Sequence, residues 1–325
     1  ISVKSFLRDK QDNIWIGTIT GGIYLYDNKN GTIKKFNENN PLIQYAQPYC
    51  IYQSSDSKIW FGCYSGLYVY NPKDDSLKEF FPENGSHFKQ VISIEELDGD
   101  NLWLGTKTGL YNINRKYNKT TLYTEKQGLP SNVVNSLLVD SNKFLWLATD
   151  KGLSRLNPAT KEFRNFGRED GIHGLEFNEN ARLKGSDGTL YFGNTNGVYF
   201  FHPNQIKTNP IPPEIVLTDF KINSEDVTTT NDNVENNRPI NQVEEINLNH
   251  RQNFFTLHFT ALNFTNPDKN QYKYKLMGFD QDWIFANNER KANYTNIPPG
   301  EYIFKVEASN NDGIWSIAPK TLKII

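Results

Sequence analysis

Six side chains give this sequence its best means of gripping a ligand: Tyr45, Tyr64, Lys107, Asp150, Arg168 and His173. Together they supply aromatic faces, cationic groups and a carboxylate. Aromatic rings stack on flat apolar surfaces, while charged ends pair with hydroxyls or ionised groups, so the mixture suits recognition of a polar organic molecule. Bond-breaking chemistry has weaker support. Hydrolysis of a glycosidic bond needs two carboxyl groups facing each other across a pocket, roughly 5 to 10 Å apart. Glu169, Asp170 and Glu176 form the nearest acidic cluster, and loop carboxylates of this kind are ordinarily just solvated. No nucleophile elbow or phosphate loop accompanies them. The five histidines are scattered and the two cysteines form no CxxC pair, so neither a metal nor another cofactor is expected.

The six stand out because of their place in a repeat. Trp15-Ile-Gly-Thr, Trp60-Phe-Gly-Cys, Trp103-Leu-Gly-Thr, Trp146-Leu-Ala-Thr and Tyr191-Phe-Gly-Asn follow one another at intervals of 45, 43, 43 and 45 residues. A Gly-apolar-Tyr phrase such as Gly22-Ile-Tyr24 or Gly66-Leu-Tyr68 follows each lead aromatic, with Ser154 replacing the tyrosine once. A period in the low forties with short strand-like segments is the mark of β-propeller blades. In such a blade the indole packs between neighbouring sheets and the glycine admits a close backbone, so the repeated residues are scaffold. Binding is expected where the repeats disagree. Four residues after the lead aromatic, in the loop joining the second and third strands, the units carry Ile19, Tyr64, Lys107, Asp150 and Thr195. That loop shares a face with the long connections between blades, which contain Tyr45, Arg168 and His173. The opposite face has mostly short Asp/Gly/Asn turns, and length and variability favour the first.

Cys50 lies ten residues before its tryptophan, where other units have Ser5, Ser93 and Ser136, and Cys63 lies three after it, where others have Thr18, Thr106, Thr149 and Asn194. The pair reads either as small side chains replacing Ser and Thr or as a disulfide between neighbouring strands.

At 325 residues the chain has room for two domains. An aromatic content of 14%, with Gly and Asn scattered throughout, favours an all-β protein. A net charge of −2 without a basic stripe argues against nucleic acid or an anionic membrane as partner of this region. No apolar run approaches the roughly 18 to 20 residues that span a bilayer. The repeat stops after Phe200-Phe-His-Pro203, and Asn209-Pro-Ile-Pro-Pro213 marks a boundary, giving propeller blades over 1–209 and a second domain over 210–325. There Tyr302, Phe304, Val306 and Ala308 alternate with polar residues, and Phe255–Phe259 and Tyr272–Leu276 behave alike. An immunoglobulin- or fibronectin-like β-sandwich is expected.

Tyr272-Lys-Tyr274-Lys-Leu-Met-Gly278-Phe-Asp280-Gln-Asp-Trp283, Tyr294, Pro299-Gly300-Glu-Tyr302 and Gly313-Ile-Trp315 together resemble the triple-tyrosine (Y_Y_Y) sensor domain. Gly128-Leu-Pro-Ser-Asn-Val-Val134, Glu176-Phe-Asn178, Tyr191-Phe-Gly193 and Asn196-Gly-Val198 resemble the propeller repeats of two-component regulators. Ala148, Ser154 and Tyr191 depart from the repeat without breaking a blade. The resemblance implies the periplasmic region of a hybrid two-component sensor, of the kind found chiefly in gut Bacteroidetes. It implies an oligosaccharide ligand released from a polysaccharide, a homodimer, and a membrane helix and kinase after Ile325. Rings in that family resemble seven-bladed propellers, often two in tandem, whereas five units occur here. The chain is therefore expected to be the C-terminal part of a ring followed by the sandwich, with the missing blades or an N-terminal propeller as further partners. Two other readings remain: a protein-interaction scaffold of the WD-repeat type, although no Trp-Asp ends a blade, and a glycan-active propeller enzyme.

Overall fold

The computed structural model describes residues 2–36, 38, 40–43, 46–81, 83, 87–222, 225–226 and 239–325. The chain divides into two compact units, Ile1–Ile206 and Lys207–Ile325. Asn209, at the head of the proline-rich boundary, goes with the second unit because its amide donates to Asn263 (3.1 Å) and Asn311 (3.2 Å).

The first unit is five antiparallel sheets in chain order, four of four strands and a last one of three. Their first strands are Val3–Arg8, Pro48–Gln53, Val91–Asp98, Val134–Val139 and Phe177–Lys184. These five lie innermost, as their mutual bonds show. Ser5 Oγ donates to the Pro48 carbonyl (3.2 Å), Cys50 Sγ points at the Val91 carbonyl (3.9 Å), Ser93 Oγ accepts from the Leu137 N–H (3.0 Å), and Ser136 Oγ donates to the Asn178 carbonyl (3.3 Å). Cys50 thus does the work of a serine. Cys63 packs with Trp15 and Phe61 on the side of its sheet facing blade 1, whereas Cys50 packs with Trp60 and Val91 on the side facing blade 3. Both thiols are free and buried, and the opposite placement accounts for it.

Alternation along each strand gives every blade two faces. Trp15, Ile23, Leu7 and Leu25 of blade 1 meet Ile51, Ile59, Phe61 and Tyr68 of blade 2, and three further clusters of this type follow round the ring. An indole brings roughly 200 Å² to such a contact, on the order of 5 kcal/mol of burial. The glycine two residues after the lead aromatic is needed for the approach: a Cβ on Gly62 would stand 2.8 Å from the Val91 carbonyl oxygen, and one on Gly105 would stand 2.8 Å from that of Val134.

The two terminal faces are bare. On blade 1 the counterparts of Ile51 and Leu77 are Phe6, 77% exposed, and Ile33, 60% exposed. On blade 5, Leu183, Val198 and Phe200 are exposed where blade 4 buries Leu138 and Leu153.

The second unit is a sandwich. One sheet orders Glu225–Asp226, Ile215–Ile222, Phe255–Ala261 and Lys291–Tyr294, and the other Glu245–Ile246, Lys320–Ile324, Tyr302–Ser309, Gln271–Met277 and Ile284–Asn287. Inward residues alternate through Phe255, Leu257, Phe259 and Ala261, while a bulge between Leu217 and Asp219 shifts the neighbouring strand's buried set to Phe220 and Ile222. Tyr272, Tyr294 and Tyr302 are all buried. The Tyr272 hydroxyl accepts from Ala261 N–H (3.1 Å), that of Tyr294 donates to Asp280 (2.8 Å), and that of Tyr302 donates to the Pro298 carbonyl (2.9 Å). The tyrosines are core residues whose polar ends are satisfied.

Candidate functional site

All five blades send a side chain to one mouth of the propeller. Glu179, on the innermost strand of blade 5, is the hub. One carboxylate oxygen accepts from Lys4 of blade 1 (3.0 Å) and the other from Lys107 of blade 3 (2.8 Å). Lys107 also reaches the Asn135 side-chain oxygen of blade 4 (3.4 Å), and Asn135 in turn donates to the Phe177 carbonyl (2.8 Å). The Lys4 ammonium lies 5.3 Å from the centre of the Tyr49 ring of blade 2, within range of a cation–π contact. Asn180 donates to the Tyr49 carbonyl (3.3 Å).

Blade 5 can serve as hub because its first strand is irregular. Its register with the next strand breaks between Phe177 and Arg182, and Asn180 takes a φ of 53°. The left-handed residue turns the strand toward the axis, which brings Glu179 to the lysines and sends Arg182 deeper. There the guanidinium pairs with Glu95 (2.9 Å) and donates to the carbonyls of Ile94 (2.6 Å) and Leu137.

Burial alone would raise the Glu179 carboxyl, but the bonds from Lys107 and Lys4 outweigh it and hold the group below the usual glutamate range. Burial, reinforced by the charge of Glu179, pushes the Tyr49 hydroxyl up. The mouth therefore presents two ammonium groups, one ionised carboxylate, the neutral Tyr49 phenol and an amide. Such a set can stack against a sugar ring and exchange hydrogen bonds with its hydroxyls.

The sequence-derived candidates divide. Lys107 is at the centre. Tyr64 is 55% exposed, in the blade 2 loop equivalent to that of Lys107, with its backbone N–H bonded to the Gln47 carbonyl (3.2 Å). Asp150 lies in the equivalent loop of blade 4, half-buried, with one carboxylate oxygen lacking any partner among the described residues. Arg168 projects from the single helical turn Arg168–Asp170, and His173 is exposed with its backbone N–H bonded to the Tyr199 hydroxyl (3.0 Å). Among the described residues, Asp150, Arg168 and His173 make no hydrogen bond or ion pair with the Lys4–Glu179–Lys107 group. Tyr45 lies outside the described residues.

Sequence reasoning missed Lys4, Tyr49, Asn135 and Glu179. A signal existed for three of them: the residue immediately before the Ser5/Cys50/Ser93/Ser136 position reads Lys4, Tyr49, Ile92 and Asn135, as variable as the loop position that drew attention. Glu179 depends on the irregular strand and had none.

Comparisons with known proteins bear on both units. A family model described as the Y_Y_Y domain matches residues 263–325, and one described as the two component regulator propeller matches residues 1–20 and 128–151. A histidine kinase, P4, of Formosa agariphila is 34% identical over 168 residues, which is 52% of this chain and 12% of that protein. The extracellular domain of a hybrid two component system from B. thetaiotaomicron superposes with a TM-score of 0.55 at 17% identity, covering 99% of this chain and 56% of the other. A second structure of that same extracellular domain, described as a one component system, gives 0.52 at 18% identity, covering 99% and 55%. The chain thus spans about an eighth of the curated relative and little more than half of each structural neighbour. At these identities the structural likeness establishes the fold.

Proposed function

We propose that this chain, built of two-component regulator propeller repeats and a Y_Y_Y domain, is the non-catalytic ligand-sensing region of a hybrid two-component sensor. Its ligand is an oligosaccharide, bound at the propeller mouth. The observation that carries this reading is the convergence of Lys4, Tyr49, Lys107, Asn135 and Glu179 from five different blades on one point. A ligand seated there touches every blade, so binding bears on the arrangement of the whole ring. That is what a sensor needs, since a ligand shifts a conformational balance only by favouring one arrangement over another.

Glu179 is unsuited to act as the general acid of a hydrolysis. A general acid on a sugar needs a carboxyl held protonated, and here two lysines keep the carboxylate ionised. In the whole protein the sandwich relays the change toward a membrane helix, from a periplasmic position and in a homodimer. The bare faces of blades 1 and 5 favour completion of the ring by further blades of the same kind, since their exposed residues occupy positions that inner blades bury against a neighbour. Calorimetric titration of the ectodomain with oligosaccharides from a range of polysaccharides tests the proposal. Saturable binding without new reducing ends is expected. Absence of binding across the range, or steady release of reducing ends, would overturn it.

A further inference from the structure

We propose a second saccharide site, in the cavity between blades 3 and 4 on the rim opposite the mouth, taking a sugar unit with an anionic substituent. It is independent of the mouth reading. The cavity has a volume of about 750 Å³ and is floored by Trp103, Asn112 and Tyr123. Its chemistry follows from one substitution in the repeat. In blades 1, 2 and 4 the indole N–H is capped from six residues upstream, by Asp9 (2.9 Å), Ser54 (3.1 Å) and Asp140 (2.8 Å). In blade 3 that position holds Leu97, and the acid comes one residue later. Asp98 spends its oxygens on the turn: Oδ1 accepts from the backbone N–H groups of Asp100 (3.0 Å) and Asn101 (2.8 Å), and Oδ2 from the Asn101 side-chain amide (3.2 Å). Trp103 is 3% exposed, and its Nε1 has no partner among the described residues.

A second orphan lies beside it. Asn112 is the direct cross-strand partner of Trp103, and its buried Nδ2 also has no partner among the described residues. Two buried donors on residues that line one cavity call for acceptor oxygens, because an unmade bond there costs the full desolvation of each group. Around them are the fittings of a sugar site. Tyr117, 70% exposed, offers a ring face on the wall, and amides of Asn101, Asn142 and Asn157 line the sides. Three ammonium groups, Lys119, Lys143 and Lys161, stand at the rim against the single carboxylate of Asp98, and none of the three is ion-paired among the described residues. That excess of positive charge selects a carboxylated or sulfated sugar over a neutral one.

The indole proton provides the readout. In a ¹⁵N spectrum of the whole chain, six tryptophans give six indole cross-peaks, and that of Trp103 is identified by its loss in Trp103→Phe. The chain is titrated in parallel with a uronate trisaccharide, a sulfated disaccharide and a neutral glucose trisaccharide, each to millimolar concentration. One of the two anionic probes is expected to shift this peak saturably, which also tells carboxylate from sulfate as the source of charge. Calorimetry with that probe is expected to show about tenfold weaker binding for Trp103→Phe, one lost hydrogen bond. Leu97→Asp, which restores the cap of the other blades, is expected to abolish the shift. Lys119→Gln with Lys143→Gln, both exposed, is expected to weaken binding at low salt. A peak unmoved by all three probes overturns the site, and an equal response to the neutral sugar overturns the anionic assignment. Lys107→Ala separates the two sites: it weakens binding at the mouth and leaves the Trp103 signal in place.

Discussion

Replacing Glu179 with glutamine removes the charge that joins Lys4 to Lys107 while keeping the side chain's shape. The carboxylate is 25% exposed and each lysine 32%, so both pairs are partly screened. Pairs of this exposure contribute roughly 0.2 to 1 kcal/mol each, and Glu179→Gln is expected to cost the propeller about 1 kcal/mol at pH 7. The pH dependence sharpens the test. The folded state lowers the Glu179 pKa, so the contribution is complete above the unfolded value of about 4.3 and disappears as pH falls through the lower folded value. The gap between the natural chain and the variant should therefore close in acid. Urea unfolding at pH 7 and near pH 3 measures it, followed by fluorescence dominated by Trp15, Trp60, Trp103 and Trp146 of the propeller. Equal stability at pH 7, or a deficit that persists undiminished in acid, would refute the ion-pair account of the mouth.

Gly105→Ala is expected to cost about 1 to 3 kcal/mol because the new methyl meets the Val134 backbone of the next blade, whereas Gly193→Ala meets only the Ala181 side chain of its own blade and should cost under about 1 kcal/mol; thermal melts of the two variants compare them. Burial pushes the Cys50 thiol up to about 12 and the Cys63 thiol well above its ordinary value, so neither should react with iodoacetamide at pH 8 until denaturant is added, when two thiols should titrate.

Much of the fold was legible because the recurring residues each have one mechanical job. Trp60 must fill the gap to blade 3, Gly62 must let Val91 approach, and Ser5 must reach the next inner strand, so these residue types recur at a fixed interval and announce the blade. The mouth was legible only in part. Lys107 stood out because it varies within a fixed frame, but its partner Glu179 lies on a strand whose irregularity at Asn180 no periodic pattern reveals. The face with short turns holds the cavity floored by Trp103, and its signal was one leucine standing where blades 1, 2 and 4 place an acid or a serine.

Binding of sugar at the mouth is what the sensing role requires. Calorimetric titration of the natural chain, Lys107→Ala and Tyr64→Ala with the oligosaccharide that binds most tightly addresses this directly. Loss of an ammonium contact or of a stacking ring should weaken binding about tenfold in each variant, since either contact is worth about 1 to 2 kcal/mol. Unchanged affinity in both variants would contradict the central claim.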